Sequence, residues 1–309
     1  MRHIWRRLRE PLVVGVFAIA DFLVPRLSRR AVLSAARAFG TLGMWLDCRG
    51  RRVAKANLRV LFGPRVTPRR SRALVRGSYC RAAAIALDSI WFGRDTRARV
   101  AAWTHLERAA NCGLLHDRPA LVVVAHFGNW EMTLLAGGYV GLPLVAVVKE
   151  QWSPTITARA NRLRAVLGVR LVFADGALRA LLREMKAGNV AGFVLDQYTA
   201  PAEGGIWVNF GGLPATVSNG VALLSRRFQA PVYLVFPHGR CDGTYDFRFL
   251  PALRSEPGEE DAAFTQRIVD GLVRHIRRHP SQWMLMYPRW SRIPPGASAE
   301  GFPFYAAQL

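Results

Sequence analysis

Ala120 to Val124 is an unbroken apolar run, with no polar residue to mark a solvent-facing side. A strand of that composition must be covered on both faces, as in a parallel sheet with helices above and below it. Strands are expected over 121–125, 144–148, 169–173, 190–195, 232–236 and 245–250, with helix signals between them. Ser153-Pro154 opens a helix that Gly168 ends, Asp175 opens another that ends near Gly188, and a last helix is expected over 261–278, before a strand-like 283–287. Ahead of the first strand, 30–38, 51–61 and 71–92 read as helices, the last set off by Gly63-Pro64 and Thr67-Pro68. The alternation predicts an α/β layer fold, a central mixed sheet flanked by helices.

The first strand runs into Ala125-His126-Phe127-Gly128-Asn129-Trp130-Glu131 and then an apolar segment, which reads as strand, tight turn and helix start. His126 at the strand end is placed to act as a general base, and Glu131 in the first helical turn to hold the ring's other nitrogen. Asn129 is a plausible N-cap. The plainer alternative is a surface histidine and a glutamate favoured by the helix dipole, and the spacing alone leaves both open. Asp196 ends another strand. Ligands usually bind at that edge of an α/β sheet, although an Asp there can also just cap a turn.

The net charge of +22 invites a nucleic-acid reading. Its distribution argues for a different partner. The first 72 residues carry sixteen Arg and one Lys against Glu10, Asp21 and Asp47, so fourteen of the surplus charges lie beside the apolar run 12–24. Basic flanks around such a run suit an anionic membrane, where each is worth on the order of 1 kcal/mol. The 13-residue run includes Asp21 and falls short of the roughly 18 apolar residues of a confident span. It also resembles a signal peptide, with Arg2, Arg6, Arg7 and Arg9 before it; with Arg26, Arg29 and Arg30 after it, an uncleaved anchor helix in or on the inner leaflet is expected. The resulting division is 1–30 anchor, 31–118 helical membrane-proximal region and 119–309 α/β core. Cys48, Cys80, Cys112 and Cys241 are scattered without a C-x-x-C pair, so neither a zinc site nor a disulfide framework is expected and the thiols read as reduced.

HFGNWE resembles the H-x4-D/E motif of the lysophospholipid acyltransferase superfamily, in particular the branch of bacterial lipid A lauroyl and myristoyl acyltransferases. Arg164 to Gly168 resembles its R-x-x-x-G, Asp196-Gln197 its D-Q pair, Phe210 to Thr216 its F-F-G-x-P-A-T segment, and Pro280-Ser281-Gln282-Trp283 with Arg289-Trp290 its C-terminal motifs. Ser281 replaces the usual Glu, Tyr287-Pro288-Arg289 replaces a doubly basic sequence, and Asn209 stands where Pro or Phe is common. The resemblance implies a glycerol-3-phosphate acyltransferase-like fold at the cytoplasmic face of the inner membrane. It implies acyl transfer from acyl carrier protein or acyl-CoA to a hydroxyl of a lipid A precursor, or of a related acceptor such as a mannosylated inositol phospholipid. His126 and Glu131 would be catalytic, Asp196 would line or order the site, and Arg164 would bind phosphate, with Lys149, which ends the second strand near the same edge, and Arg289 as further candidates. For Arg164 the alternative is a solvated basic helix face. Gly211-Gly212 either simply makes a turn or lets backbone N–H groups of the Phe210 to Thr216 loop approach the thioester oxygen. No cofactor or metal is expected, and without a G-x-S-x-G elbow direct transfer is favoured over an acyl-enzyme. A nucleic-acid module or an inactive membrane scaffold would leave His126 and Glu131 without a role.

Overall fold

The computed structural model describes residues 2–106, 113–151, 153–174 and 176–309. The expected helix opener Asp175, Trp152 and Cys112 lie outside the described residues. The helical N-terminal part comprises α1 (Arg2–Leu23), α2 (Arg29–Leu46), α3 (Cys48–Phe62), α4 (Pro68–Trp91) and α5 (Thr96–Trp103). Side-chain caps set several starts: Ser28 accepts from Ala31 N–H, Asp47 from Gly50 N–H and Thr67 from Arg70 N–H. The Asp47 cap starts α3 three residues before the expected Arg51.

The α/β part follows as β1 (Thr104–His105), β2 (Ala120–Val124), α6 (Glu131–Tyr139), β3 (Leu144–Val148), α7 (Pro154–Ala165), β4 (Arg170–Phe173), α8 (Ala177–Lys186) and β5 (Val190–Val194). It continues as β6 (Gly205–Phe210), β7 (Leu213–Ser218), α9 (Gly220–Phe228), β8 (Val232–Gly239), β9 (Tyr245–Phe249) and α10 (Asp261–Arg278), with a small pair β10 (Arg292–Ile293) and β11 (Ala307–Gln308). Seven strands form one mixed sheet in the order β1-β9-β8-β2-β5-β3-β4; β2, β8, β5, β3 and β4 run parallel, and β9 runs antiparallel to β8. β2 is interior, so its apolar sequence is used on both sides. Leu121, Val123 and Ala125 enter a core shared with α3, α4, α8, α9 and α10. Ala120, Val122 and Val124 enter a second core with α6, α7, α5 and the end of α4.

The expected last strand is corrected. Residues 283–287 form no strand. A 3-10 turn, Pro280–Gln282, leads into an irregular segment whose backbone groups are taken by side chains: Ser78 Oγ donates to Trp283 O at 2.6 Å, and Asn57 Nδ2 donates to Leu285 O at 2.9 Å and Tyr287 O at 2.7 Å. The N-terminal segment forms the helix α1, and among the described residues no helix is long and apolar enough to cross a membrane. α1 uses its acidic residues on the α/β part. Glu10 accepts from Ser153 Oγ at 2.9 Å and Thr155 N–H at 3.1 Å, at the start of α7, and Asp21 pairs with Arg159 of the same helix.

Arg29, expected in the basic flank of the anchor, is instead buried. Its guanidinium pairs with Asp88 of α4 and donates to Gly243 O at 3.0 Å, while Tyr245 Oη also donates to Asp88. Burial alone would lower the pKa of Arg29; the charge and hydrogen bonds of Asp88, with Tyr245, outweigh it and hold the group above its usual value. This knot ties α2, α4 and β9 together. Removing one member of a buried pair strands the other, so Asp88→Ala is expected to cost about 3–5 kcal/mol of unfolding free energy. Denaturant titration of both proteins measures it; a loss below 1 kcal/mol would refute the assignment.

Candidate active site

Register brings the site together. Val124 of β2 lies beside Val194 of β5, and Leu195 N–H donates to Val124 O at 3.0 Å. Two residues further along each parallel strand stand His126 and Asp196. Asp196 Oδ2 accepts the backbone N–H of His126 at 2.9 Å, and Oδ1 lies 2.7 Å from the imidazole Nδ1. Trp283 Nε1 donates to Oδ2 at 2.7 Å. Burial would raise the Asp196 pKa, but the facing His126 and the hydrogen bonds from His126 and Trp283 hold it below the usual carboxylate value.

An ionised carboxylate only accepts, so Nδ1 donates its proton to Asp196, and in the neutral imidazole the lone pair then lies on Nε2. Gln197 Nε2 faces that lone pair at 3.2 Å. The His126 side chain is 16% exposed and that of Asp196 only 3%, so the basic nitrogen can be reached while the carboxylate behind it stays dry. Tyr287 Oη, accepting from Tyr198 N–H at 2.9 Å, anchors the segment that carries Asp196 and Gln197.

The backbone around His126 is held from the other side. Met284 N–H donates to His126 O at 3.0 Å, and Gly128 N–H to Gln282 O at 2.8 Å. Gly128 has φ +58°, and a Cβ there would stand 1.5 Å from Pro237 O, so only glycine fits. Asn129 is not the N-cap expected of it, since α6 begins at Glu131 with Trp130 as the flanking residue. Its buried amide donates instead to Asp88 Oδ2 at 3.1 Å, joining the histidine loop to the Arg29 knot.

Glu131 is placed differently from expectation. Its carboxylate forms a two-point pair with Arg164 at the end of α7, Nε to Oε2 at 2.8 Å and Nη2 to Oε1 at 2.6 Å, and Asp196 occupies the position by the imidazole expected of it. Oε1 also accepts from Trp130 Nε1 at 3.1 Å, and the Trp130 ring stands edge-on to His126 with centroids 4.6 Å apart. Glu131 therefore reaches the histidine through an indole. Arg164 is correspondingly neither a solvated face nor a free phosphate grip: two guanidinium nitrogens are taken by Glu131, and Nη1 donates to Asn161 Oδ1 at 3.3 Å. Burial would lower its pKa, yet the hydrogen bonds and charge of Glu131 raise it.

Arg289, the third phosphate candidate, is 1% exposed. It donates to Thr216 O at 2.7 Å and lies over the Phe210 ring, and burial lowers its pKa to about 10. It is core, out of reach of a substrate phosphate. Lys149 is exposed at the C-terminal end of β3, on the sheet edge that carries His126. Gly211-Gly212 forms the two-residue turn of the β6–β7 hairpin, with φ of +70° and +123°. Gly212 N–H already donates to Asn209 Oδ1 at 2.8 Å, so the turn reading fits and the oxyanion reading does not. Trp283 and Gln197 are partners to which reading one sequence gave no role, although Gln197 stood in the D-Q motif and Trp283 in the C-terminal motif Pro280 to Trp283.

A model of the family described as bacterial lipid A biosynthesis acyltransferase matches residues 5–292. Comparison with curated proteins gives no match.

The Glu131–Arg164 pair predicts coupled energetics. In a cycle of Glu131→Gln, Arg164→Met and the double variant, the losses of stability are expected to be non-additive by roughly 0.5–3 kcal/mol, as for contacting residues elsewhere. Additive losses from chemical denaturation would show that the pair is not formed in solution.

Proposed function

This chain belongs to the bacterial lipid A biosynthesis acyltransferase family, and on that premise we propose that it moves a fatty acyl chain from a thioester to a hydroxyl of a lipid A precursor or a related polar lipid. The observation that carries this reading is the partly exposed His126 with its Nδ1 on buried Asp196. His126 Nε2 takes the proton of the acceptor hydroxyl as its oxygen attacks the thioester carbonyl carbon. The carbon–sulfur bond then breaks, and the imidazolium returns the proton to the departing thiolate. Asp196 fixes the ring and stabilises the imidazolium, while Glu131, paired with Arg164, positions Trp130 against the ring. Lys149 is the cation placed to meet an acceptor or carrier phosphate. The donor is an acyl carrier protein or acyl-CoA, and the basic surplus of the chain suits either anionic carrier.

Membrane association rests on exposed apolar residues of the first two helices. Val16, Ile19, Phe22 and Leu23 of α1 and Phe39, Leu42, Trp45 and Leu46 of α2 are all exposed, Leu46 by 74%. Exposed Arg26, Arg30, Arg37 and Arg49 accompany them. Apolar side chains beside basic ones suit a helix pair lying in the headgroup region of an anionic leaflet, with Trp45 at the interface.

Radiolabelled acyl transfer to extracted lipid, with mass spectrometry of the product, tests the activity. His126→Ala is expected to reduce transfer by about 10²–10⁴-fold, and Asp196→Asn by a comparable factor while the fold persists. Near-normal transfer by folded His126→Ala would falsify the mechanism. For the membrane reading, co-sedimentation with vesicles containing phosphatidylglycerol should exceed that with phosphatidylcholine alone and fall in Trp45→Glu and Leu46→Glu. Equal partitioning of all three proteins into both vesicle types would refute it.

A further inference from the structure

Three imidazoles that the proposed acyl transfer does not use converge on the far side of Phe127. His238 lies near the end of β8, His275 in the last turn of α10, and His279 just past that helix, four residues on. Their nearest ring nitrogens lie within 4.8 Å of one another, and His238 Nε2 is 2.7 Å from His275 Nε2. The ring centroids of His238 and His279 are 4.7 Å apart. His275 is buried, His238 half-buried and His279 exposed, so the cluster opens to solvent on one side. Phe127 packs edge-on against His238 and His275, and Phe236 stacks on His275 at 3.7 Å, walling the other side.

A hydrogen-bonded histidine pair is complete with two rings. The third, at H-x3-H spacing on the same helix end, adds a nitrogen that such a pair does not need. We propose that His238, His275 and His279 bind a divalent transition-metal ion of the zinc class, leaving a fourth position to water. Three nitrogens with an open position is a donor set such ions accept, and imidazole suits them. With zinc–nitrogen bonds of about 2.0–2.1 Å, tetrahedral ligand atoms stand roughly 3.4 Å apart. The 2.7 Å contact must widen by some tenths of an ångström, and the longer separations must close. His279, outside the helix body and exposed, can supply that movement. The proton between His238 and His275 moves to the Nδ1 of its own ring, so both Nε2 lone pairs face the ion.

Arg81, Arg248 and Arg278 stand near enough to act electrostatically on these rings, with Asp246 as the opposing carboxylate. They reduce the affinity for a cation, so binding is expected to be weaker than at a thiolate site. A bound ion would tie β8 and the end of α10 to the histidine loop, because Gln282, three residues after His279, holds Gly128 and Phe127 covers two of the ligands. Its part is positioning, at a distance from the acyl transfer itself.

The test uses the full chain without a polyhistidine tag, stripped with chelator and titrated with Zn²⁺ alone. Elemental analysis after desalting is expected to find one Zn²⁺ per chain, and Co²⁺ to give the visible absorption of a four-coordinate site. His279→Ala, at an exposed position that can be changed without disturbing the core, should weaken binding by more than the roughly 10–100-fold that losing an outer-shell partner costs. It should also abolish the Zn²⁺-dependent rise in thermal midpoint shown by the unaltered chain. His238→Gln should do the same, whereas His126→Ala should retain the metal. The proposal is overturned if the folded chain retains no stoichiometric metal. It is equally overturned if His279→Ala and His238→Gln bind as the unaltered chain does, or if His126→Ala loses the ion.

Discussion

The parallel pairing of β2 with β5 is the constraint on which the rest of this structure depends. Two residues beyond the end of each strand stands a polar residue, a histidine after one and an aspartate after the other. Aligning Val124 with Val194 sets these residues side by side, and Asp196 then accepts from both the backbone and the ring of His126. A slip of one residue would turn the side chains of one strand to the opposite face of the sheet, taking Asp196 away from the ring. The register is held because β2 is apolar and buried on both faces, and the apolar β5 is interior to the sheet, between β2 and β3.

Buried charge around the site is handled in two ways. Asp88 takes Arg29, Tyr245 and Asn129 at once, so a carboxylate inside the protein is satisfied on several sides, and the loop behind His126 is fastened to the N-terminal helices. Glu131 and Arg164 form the second pair, partly exposed and two-pointed, which fixes the start of α6 relative to the end of α7. In both cases a charged residue is committed to another protein group. That commitment separates the positioning role of Arg164 from the substrate contact its motif implied.

The N-terminal helices combine polar attachment to the α/β part with an exposed apolar side. α1 directs Glu10 and Asp21 onto α7 and leaves Val16, Ile19 and Phe22 outward, and α2 extends the apolar surface to Trp45 and Leu46. A helix attached by polar contacts along one side and apolar on another is the arrangement on which the proposed membrane contact rests.

Much of the fold was legible in the sequence. The fully apolar run at 120–124 required cover on both faces, the Ser-Pro and Gly signals bounded α7, and six strands of the main sheet fall within a few residues of their expected positions, because burial and local backbone preference act on neighbouring residues; the β6–β7 hairpin was not expected. The histidine at a strand end and the aspartate at another were readable for the same reason. Their pairing was not. Whether Glu131 or Asp196 would meet the imidazole depended on which strands are neighbours and in what register, and nothing within seven residues of sequence encodes that. Likewise, Arg29 reads as one more basic residue in a basic stretch, and Arg289 as a phosphate ligand, until packing shows both to be buried. Three histidines, one of them 37 residues before the next, became a cluster only when α10 closed over β8. Local chemistry determined which elements form and which residues end them; the tertiary structure decided which of those ends meet, because contact between distant segments is fixed by the packing of whole layers.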